Sequence, residues 1–150
     1  MPGKYISLRV HFIWSTLERR PWISSEIEEE LYRSIGGIFR NKNGALIEAG
    51  GDRDHTHLYA SLPSTISLAE IVNAVKSNSS GWIHERFPEM RYFAWQKGYG
   101  AFSVSQSMER ELIQYLRNQK THHRKLSFKE EFVSFLERHQ IEYDERYLWD

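Results

Sequence analysis

Ile6, Leu8, Val10, Phe12 and Trp14 alternate with Ser7, Arg9 and His11. That period of two predicts a half-buried strand with Arg9 and His11 on its polar face. From Ser25 the period changes. Ile27, Leu31, Ile35, Ile38 and Phe39 recur at helical spacing, and Ser25 with Glu28 makes a capping-box pattern at their start. Gly36 and Gly37 weaken this helix or admit a close neighbour. Asn43-Gly44 closes it and opens a short strand over 45–49. Alternation then returns. Thr56, Leu58, Ala60 and Leu62 fall on one side of an extended strand, and His55, His57, Tyr59 and Ser61 on the other. Gly50 and Gly51 read as a tight turn leading in through Asp52, Arg53 and Asp54. Pro63 stops the strand.

Ser67 with Glu70 is a second capping box, opening a helix with Leu68, Ile71, Val72 and Val75 that runs to Trp82 or His84. Residues 91–96 read as a strand, 97–100 as a hairpin loop and 101–105 as the returning strand. Ser107 caps a third helix through Met108, Leu112, Tyr115, Leu116 and Gln119. Ser127 with Glu130 opens a last helix with Phe128, Phe132, Phe135 and Leu136, and the aromatic end, 141–150, packs back on the body. The order β-α-β-β-α-β predicts an α+β fold. It is the ferredoxin-like split β-α-β sandwich: an antiparallel sheet with helices on one face, plus C-terminal helices. The other face would stay open and carry His55, His57, His11 and Arg9.

The 150 residues suit one domain, with a core over about 4–106, a helix over about 107–120 and a C-terminal helix with an acidic tail over about 127–150. No apolar run is long enough to span a bilayer, and the first residues enter a strand-like pattern rather than a signal-peptide core. Cysteine is absent, which excludes thiol chemistry and fits a reducing cytoplasm. The 20 basic and 20 acidic residues cancel, which argues against bulk polyelectrolyte binding. Their placement is uneven. From Lys129 to Asp150 there are three basic and seven acidic residues; taking these from the totals leaves 17 and 13, a net of +4, in residues 1–128.

Two imidazoles at i and i+2 on one strand point the same way and can grip a single divalent ion, although surface histidines on a wet sheet face would look the same. Tyr115 and Gln119 are four apart and share a helical face. A phenol can attack a phosphate once a cation neutralises the phosphate oxygens, and the Gln119 amide oxygen could complete a three-ligand site. A core aromatic and a solvated glutamine are the plainer readings. Arg117, Lys120, Arg124, Lys125 and Lys129 follow, with His122 and His123 among them and no acid from Leu112 to Lys129. Phosphate contacts would concentrate cations so, as would a solvated basic loop.

These elements in this order resemble the single-tyrosine HUH transposases of small bacterial insertion sequences and their REP-associated relatives. The matching elements are His55-Thr56-His57 on a central strand and Tyr115 with Gln119 on a later helix. Trp95-Gln96-Lys97-Gly98-Tyr99 and the stretch Ile141 to Tyr147 match as well. Thr56 departs from the usual hydrophobic residue. The resemblance implies that His55, His57 and Gln119 hold Mg²⁺ or Mn²⁺ and that Tyr115 attacks single-stranded DNA. The products would be a 5′-phosphotyrosine link and a free 3′-hydroxyl. It implies recognition of hairpin ends and a homodimer in which one tyrosine helix completes the partner's site. Arg117, Lys120, Arg124, Lys125, Arg9 and His11 are the candidate DNA contacts. The alternative is a non-catalytic or host-domesticated hairpin-DNA-binding protein of the same fold. Phosphoesterases with two His-x-Thr/Ser motifs are excluded, because His11-Phe12-Ile13 and His84-Glu85-Arg86 both fail. A structural zinc site is disfavoured, since a closed tetrahedral site wants four nitrogen or sulfur ligands.

Overall fold

The computed structural model describes residues 3–123 and 125–150. Four strands, β1 (Arg9–Ser15), β2 (Ala45–Asp52), β3 (His55–Ser61) and β4 (Gly100–Ser103), form one antiparallel sheet in the order β2-β3-β1-β4. Helices α1 (Ser25–Asn41) and α2 (Leu68–Arg86) are the two crossovers of the split β-α-β arrangement. After β4 come α3 (Glu109–Arg117), the single turn α4 (Gln119–His122) and α5 (Phe128–Arg138). The α+β, ferredoxin-like reading holds.

The strand alternation sorts the core as expected. Phe12, Trp14, Leu58 and Ala60 point to one side and pack with Ile27, Leu31, Ile35 and Phe39 of α1 and Ile71, Val75 and Ile83 of α2. Thr56 shares that side, and its hydroxyl bonds the Tyr32 hydroxyl at 3.0 Å, which satisfies a polar residue facing an apolar layer. Ser67 caps α2 by accepting from the Glu70 amide, and Ser127 with Glu130 completes both halves of a capping box on α5.

Several local expectations change. The first strand starts at Arg9, and Ile6 and Leu8 are exposed. Ser24, not Ser25, precedes α1, and its side chain makes no cap bond. Gly50 and Gly51 are not a turn; they lie within β2, opposite His57 and Thr56. The hairpin over 91–105 does not form. Trp95 makes one isolated bridge to Thr16, and Phe93 and Trp95 join the main core. Lys76 on α2 donates to the carbonyls of Gln96, Lys97 and Gly98, which ties this segment to the helix layer and leaves β4 short. The expected helix over 107–120 is a 3₁₀ turn and two helices, broken at Asn118. Trp149 packs on Phe128 and Phe132, so the end of the chain does fold back.

Candidate active site

The face expected to be open is closed. His55 and His57 are 0 % exposed and His11 only 2 %, because α3, α4 and α5 lie over that side of the sheet. Phe128, Phe132, Phe135 and Leu136 of α5 pack with Ile13 and Phe102 into a second, smaller apolar cluster around it. The histidines are therefore buried polar groups, which must find partners within the protein.

Register explains how the rings meet. Ile13 of β1 stands opposite His57, so His11 is its diagonal neighbour on the same face. The two rings stack at 5.0 Å, and His11 Nε2 lies 2.7 Å from His57 Nδ1. At His55, Nδ1 donates to Asp54 Oδ1 at 2.7 Å. Each histidine of the pair thus has its Nδ1 engaged and turns its Nε2 towards α5.

Glu131 on α5 receives them. Its side chain is 1 % exposed. Its Oε1 lies 3.0 Å from His57 Nε2, 2.9 Å from His123 Nε2 and 3.4 Å from His55 Nε2. Its Oε2 accepts from Gln119 Nε2 at 2.9 Å and from the Tyr115 hydroxyl. One oxygen faces imidazoles and the other faces the phenol. Burial pushes this carboxyl up, but its hydrogen bonds to His123 and His57 overcome that and hold the group well below the usual carboxylate range. Burial likewise lowers His57 to about 4, against the pull of Glu131, so the ring is neutral at pH 7. Burial also lowers His123, yet its hydrogen bond to Glu131 outweighs that and raises it.

Asp54 is held below its ordinary range, burial being overcome by its hydrogen bond to His55; ionised, it can only accept, so the Nδ1 proton of His55 is committed to it. The Nε2 of His55 then faces Gln119 Oε1 at 3.0 Å and Glu131 Oε1 at 3.4 Å, both acceptors. Imidazole nitrogens and a carboxylate oxygen converging on one point are donors that a divalent cation takes as ligands. The residues present therefore fit a metal ion, and the donor atoms of His55, His57, His123 and Glu131 all lie within 4.8 Å of one another.

Tyr115 reaches this point because α3 can lie flat on β2. A Cβ on Gly50 would stand 2.2 Å from the Leu116 carbonyl oxygen, so only glycine lets the helix backbone so close. The start of α3 is pinned by Glu109, which takes the Arg9 guanidinium and the Tyr59 hydroxyl. Arg117 pairs with Glu48 at 2.6 Å and Lys120 with Glu28 at 2.5 Å, fixing the far end to β2 and α1. The Tyr115 ring sits edge-on to His57 at 5.9 Å and is half-buried. It forms a wall of two clefts. One, of about 460 Å³, is lined by His11, Phe135 and Arg138; the other, of about 740 Å³, by Asn118, His122 and Lys125. Burial and then the Glu131 charge push the phenol far above its usual value, so it stands protonated at pH 7.

Tyr115, His55, His57 and Gln119 are thus brought together within one chain. His11 and Arg9, expected on an open DNA-facing surface, are placed otherwise: His11 is buried beneath α5 and Arg9 is bound to Glu109. Arg124 lies outside the described residues. Glu131 and His123 were not singled out from the sequence. His123 was legible as half of a histidine doublet, but it sits in a basic run, and Glu131 looks like an ordinary first-turn acid.

A family model described as IS200-like transposase matches residues 4–119. Among solved structures, a transposase candidate from Deinococcus radiodurans R1 has a TM-score of 0.67 at 22 % identity, covering 79 % of this chain and 95 % of that one. A REP-associated tyrosine transposase bound to a REP hairpin has a TM-score of 0.60 at 15 % identity, covering 82 % of this chain and 73 % of that one. At such identities the likeness is one of fold. A search of curated proteins returned no match.

Proposed function

The chain belongs to the IS200-like transposase family, a family of metal-dependent DNA-cleaving enzymes, and on that premise we propose that it cuts and rejoins single-stranded DNA at hairpin-marked ends. His55 and His57 hold a divalent cation, Mn²⁺ or Mg²⁺, with the Gln119 oxygen within reach of the same point. When bound, the ion neutralises the scissile phosphate and lowers the barrier to attack on it. Tyr115 Oη forms the new bond to phosphorus, and the bond from phosphorus to the 3′ oxygen breaks. The phenolic proton ends on that oxygen, giving a 5′-phosphotyrosine link and a free 3′-hydroxyl. The link conserves the phosphodiester, so the reverse attack by another 3′-hydroxyl joins strands without a further energy source.

The observation that carries this reading is the shared carboxylate: Glu131 touches the phenol with one oxygen and the imidazoles with the other. One chain brings all these groups together, and the homodimer in which one tyrosine helix completes the partner's site stays part of the proposal. The DNA strand crosses Tyr115 between its two clefts. Lys125 and Arg138 line those clefts, while Arg117 and Lys120 are engaged by Glu48 and Glu28. Recognition of hairpins draws support from the fold shared with the hairpin-bound REP-associated enzyme.

The test is to incubate the protein with single-stranded hairpin oligonucleotides and Mn²⁺ and look for a protein–DNA adduct that survives denaturation. Tyr115→Phe should abolish the adduct and retain DNA binding. An adduct that persists in that variant would assign the nucleophile elsewhere. Binding without any adduct would favour a hairpin-binding protein that does not turn over.

A further inference from the structure

We infer that His123 and Glu131 are ligands too, so that three imidazoles and one carboxylate hold a transition-series divalent cation in preference to Mg²⁺, and α5 is part of the metal centre. The inference rests on the metal position of the proposed function and extends it to two residues beyond position 119, where the family match ends.

Distances support a four-ligand set. Metal bonds of about 2.0–2.1 Å place tetrahedral ligands roughly 3.4 Å apart. Glu131 Oε1 stands 3.4, 3.0 and 2.9 Å from the Nε2 atoms of His55, His57 and His123, so the carboxylate oxygen already lies at about the separation of a ligand. The side chains of the four residues are 0, 0, 5 and 1 % exposed. An ion there takes four ligands from the protein, and a scissile phosphate oxygen adds to them as a fifth. Mg²⁺ keeps several waters and asks for six oxygens, which this dry pocket of nitrogen donors does not offer. Imidazole nitrogen suits the later divalent metals. The absence of cysteine, which spoke against zinc in the sequence, carries no weight once three histidines converge.

The two oxygens of Glu131 then have separate tasks. Oε1 serves the ion. Oε2 keeps the Tyr115 hydroxyl beside it and is itself steadied by Gln119 Nε2 at 2.9 Å. Seating α5 and seating the metal become one event, because the ligand at residue 131 arrives on that helix.

Co²⁺ reports on this directly, since low-coordinate Co²⁺ absorbs strongly in the visible and needs no turnover. Metal-free full-length protein is titrated with Co²⁺, then challenged with Mg²⁺ or Mn²⁺. The wild type should show the intense band and keep its Co²⁺ against a hundredfold excess of Mg²⁺. Glu131→Gln and His123→Ala should each weaken Co²⁺ by at least about tenfold and lose band intensity. Glu131→Asp, which keeps the charge but withdraws it by one methylene, gives the same reading if either variant fails to fold. Wild-type affinity in all three variants, no band in the wild type, or displacement by equimolar Mg²⁺ would each overturn the inference. Should the Tyr115 adduct form while these variants bind like wild type, the proposed function stands and the inference falls. If the four-ligand signature is present but no adduct forms, the opposite holds.

Discussion

On one side of the sheet Phe12, Trp14, Leu58 and Ala60 meet α1 and α2 almost entirely through hydrocarbon. On the other, the residues that alternate with them are His11, Ile13, His55 and His57, and α5 meets these through an aromatic rim and one buried carboxylate. Both faces are dry. The first is indifferent to which partner atoms it touches, provided they are apolar and fill space. The second works only if each donor finds its acceptor and the charge balances. The same strands thus carry a layer that stores stability and a layer that stores reactivity, and the two should fail differently.

The largest effect on stability belongs to the hydrocarbon face. Phe39 is 1 % exposed at the C-terminal end of α1's buried stripe. Phe39→Ala should cost about 3–5 kcal/mol in urea unfolding, from lost transfer energy plus the cavity left behind. Below the unfolding transition, metal affinity and adduct formation should match wild type. A loss of metal affinity in the still-folded protein would break the separation between faces.

Gly50→Ala should do the reverse. The added methyl meets backbone atoms of Leu116, which cannot swing aside as a side chain would. The clash should cost about 1–3 kcal/mol, less than Phe39→Ala. Adduct formation should fall by about a hundredfold or more, since a shift of roughly 1 Å in a catalytic group is enough for that. Asp54→Ala comes next. It frees the Nδ1 of His55, removes the fixed tautomer, and should weaken Mn²⁺ binding by about 10–100-fold with a small change in stability. Calorimetric titration of the metal-free protein reads this without DNA.

The comparison also explains what could be read from the sequence. The hydrocarbon face was legible because its signal is local: the stripe Ile27, Leu31, Ile35 and Phe39 repeats within one helix, and the alternation of 55–62 within one strand. The His pair, Tyr115 and Gln119 were legible as residue types at familiar spacings. Glu131 was not, because its meaning lies in a contact with His57 across 74 positions, whereas locally it follows a capping box like any first-turn acid. The burial of His11 failed for the same reason. A polar face in a strand predicts solvent unless a distant carboxylate arrives to cover it. Gly50 and Gly51 were read as a turn because glycine pairs signal turns, while Gly50 makes room for the backbone of a helix encoded some 65 residues later and Gly51 for the His55 carbonyl of the neighbouring strand.

Ser127→Ala has the smallest expected effect and separates the two faces most finely. Ser127 lies outside both apolar clusters, and its side chain bonds only Glu130, through which it holds the first turn of α5. Loss of the cap should cost about 1 kcal/mol. If α5 belonged to the common core, that loss would appear in global unfolding alone. If its seating is coupled to the metal, part of it appears as weaker Mn²⁺ binding, up to about fivefold at a tenfold per 1.4 kcal/mol. Saturating Mn²⁺ should then restore much of the lost stability to Ser127→Ala, and none of it to a Ser127→Ala, Glu131→Gln double variant. Equal recovery in the two would mean that α5 is held by its phenylalanines alone, and that the carboxylate it carries is a passenger.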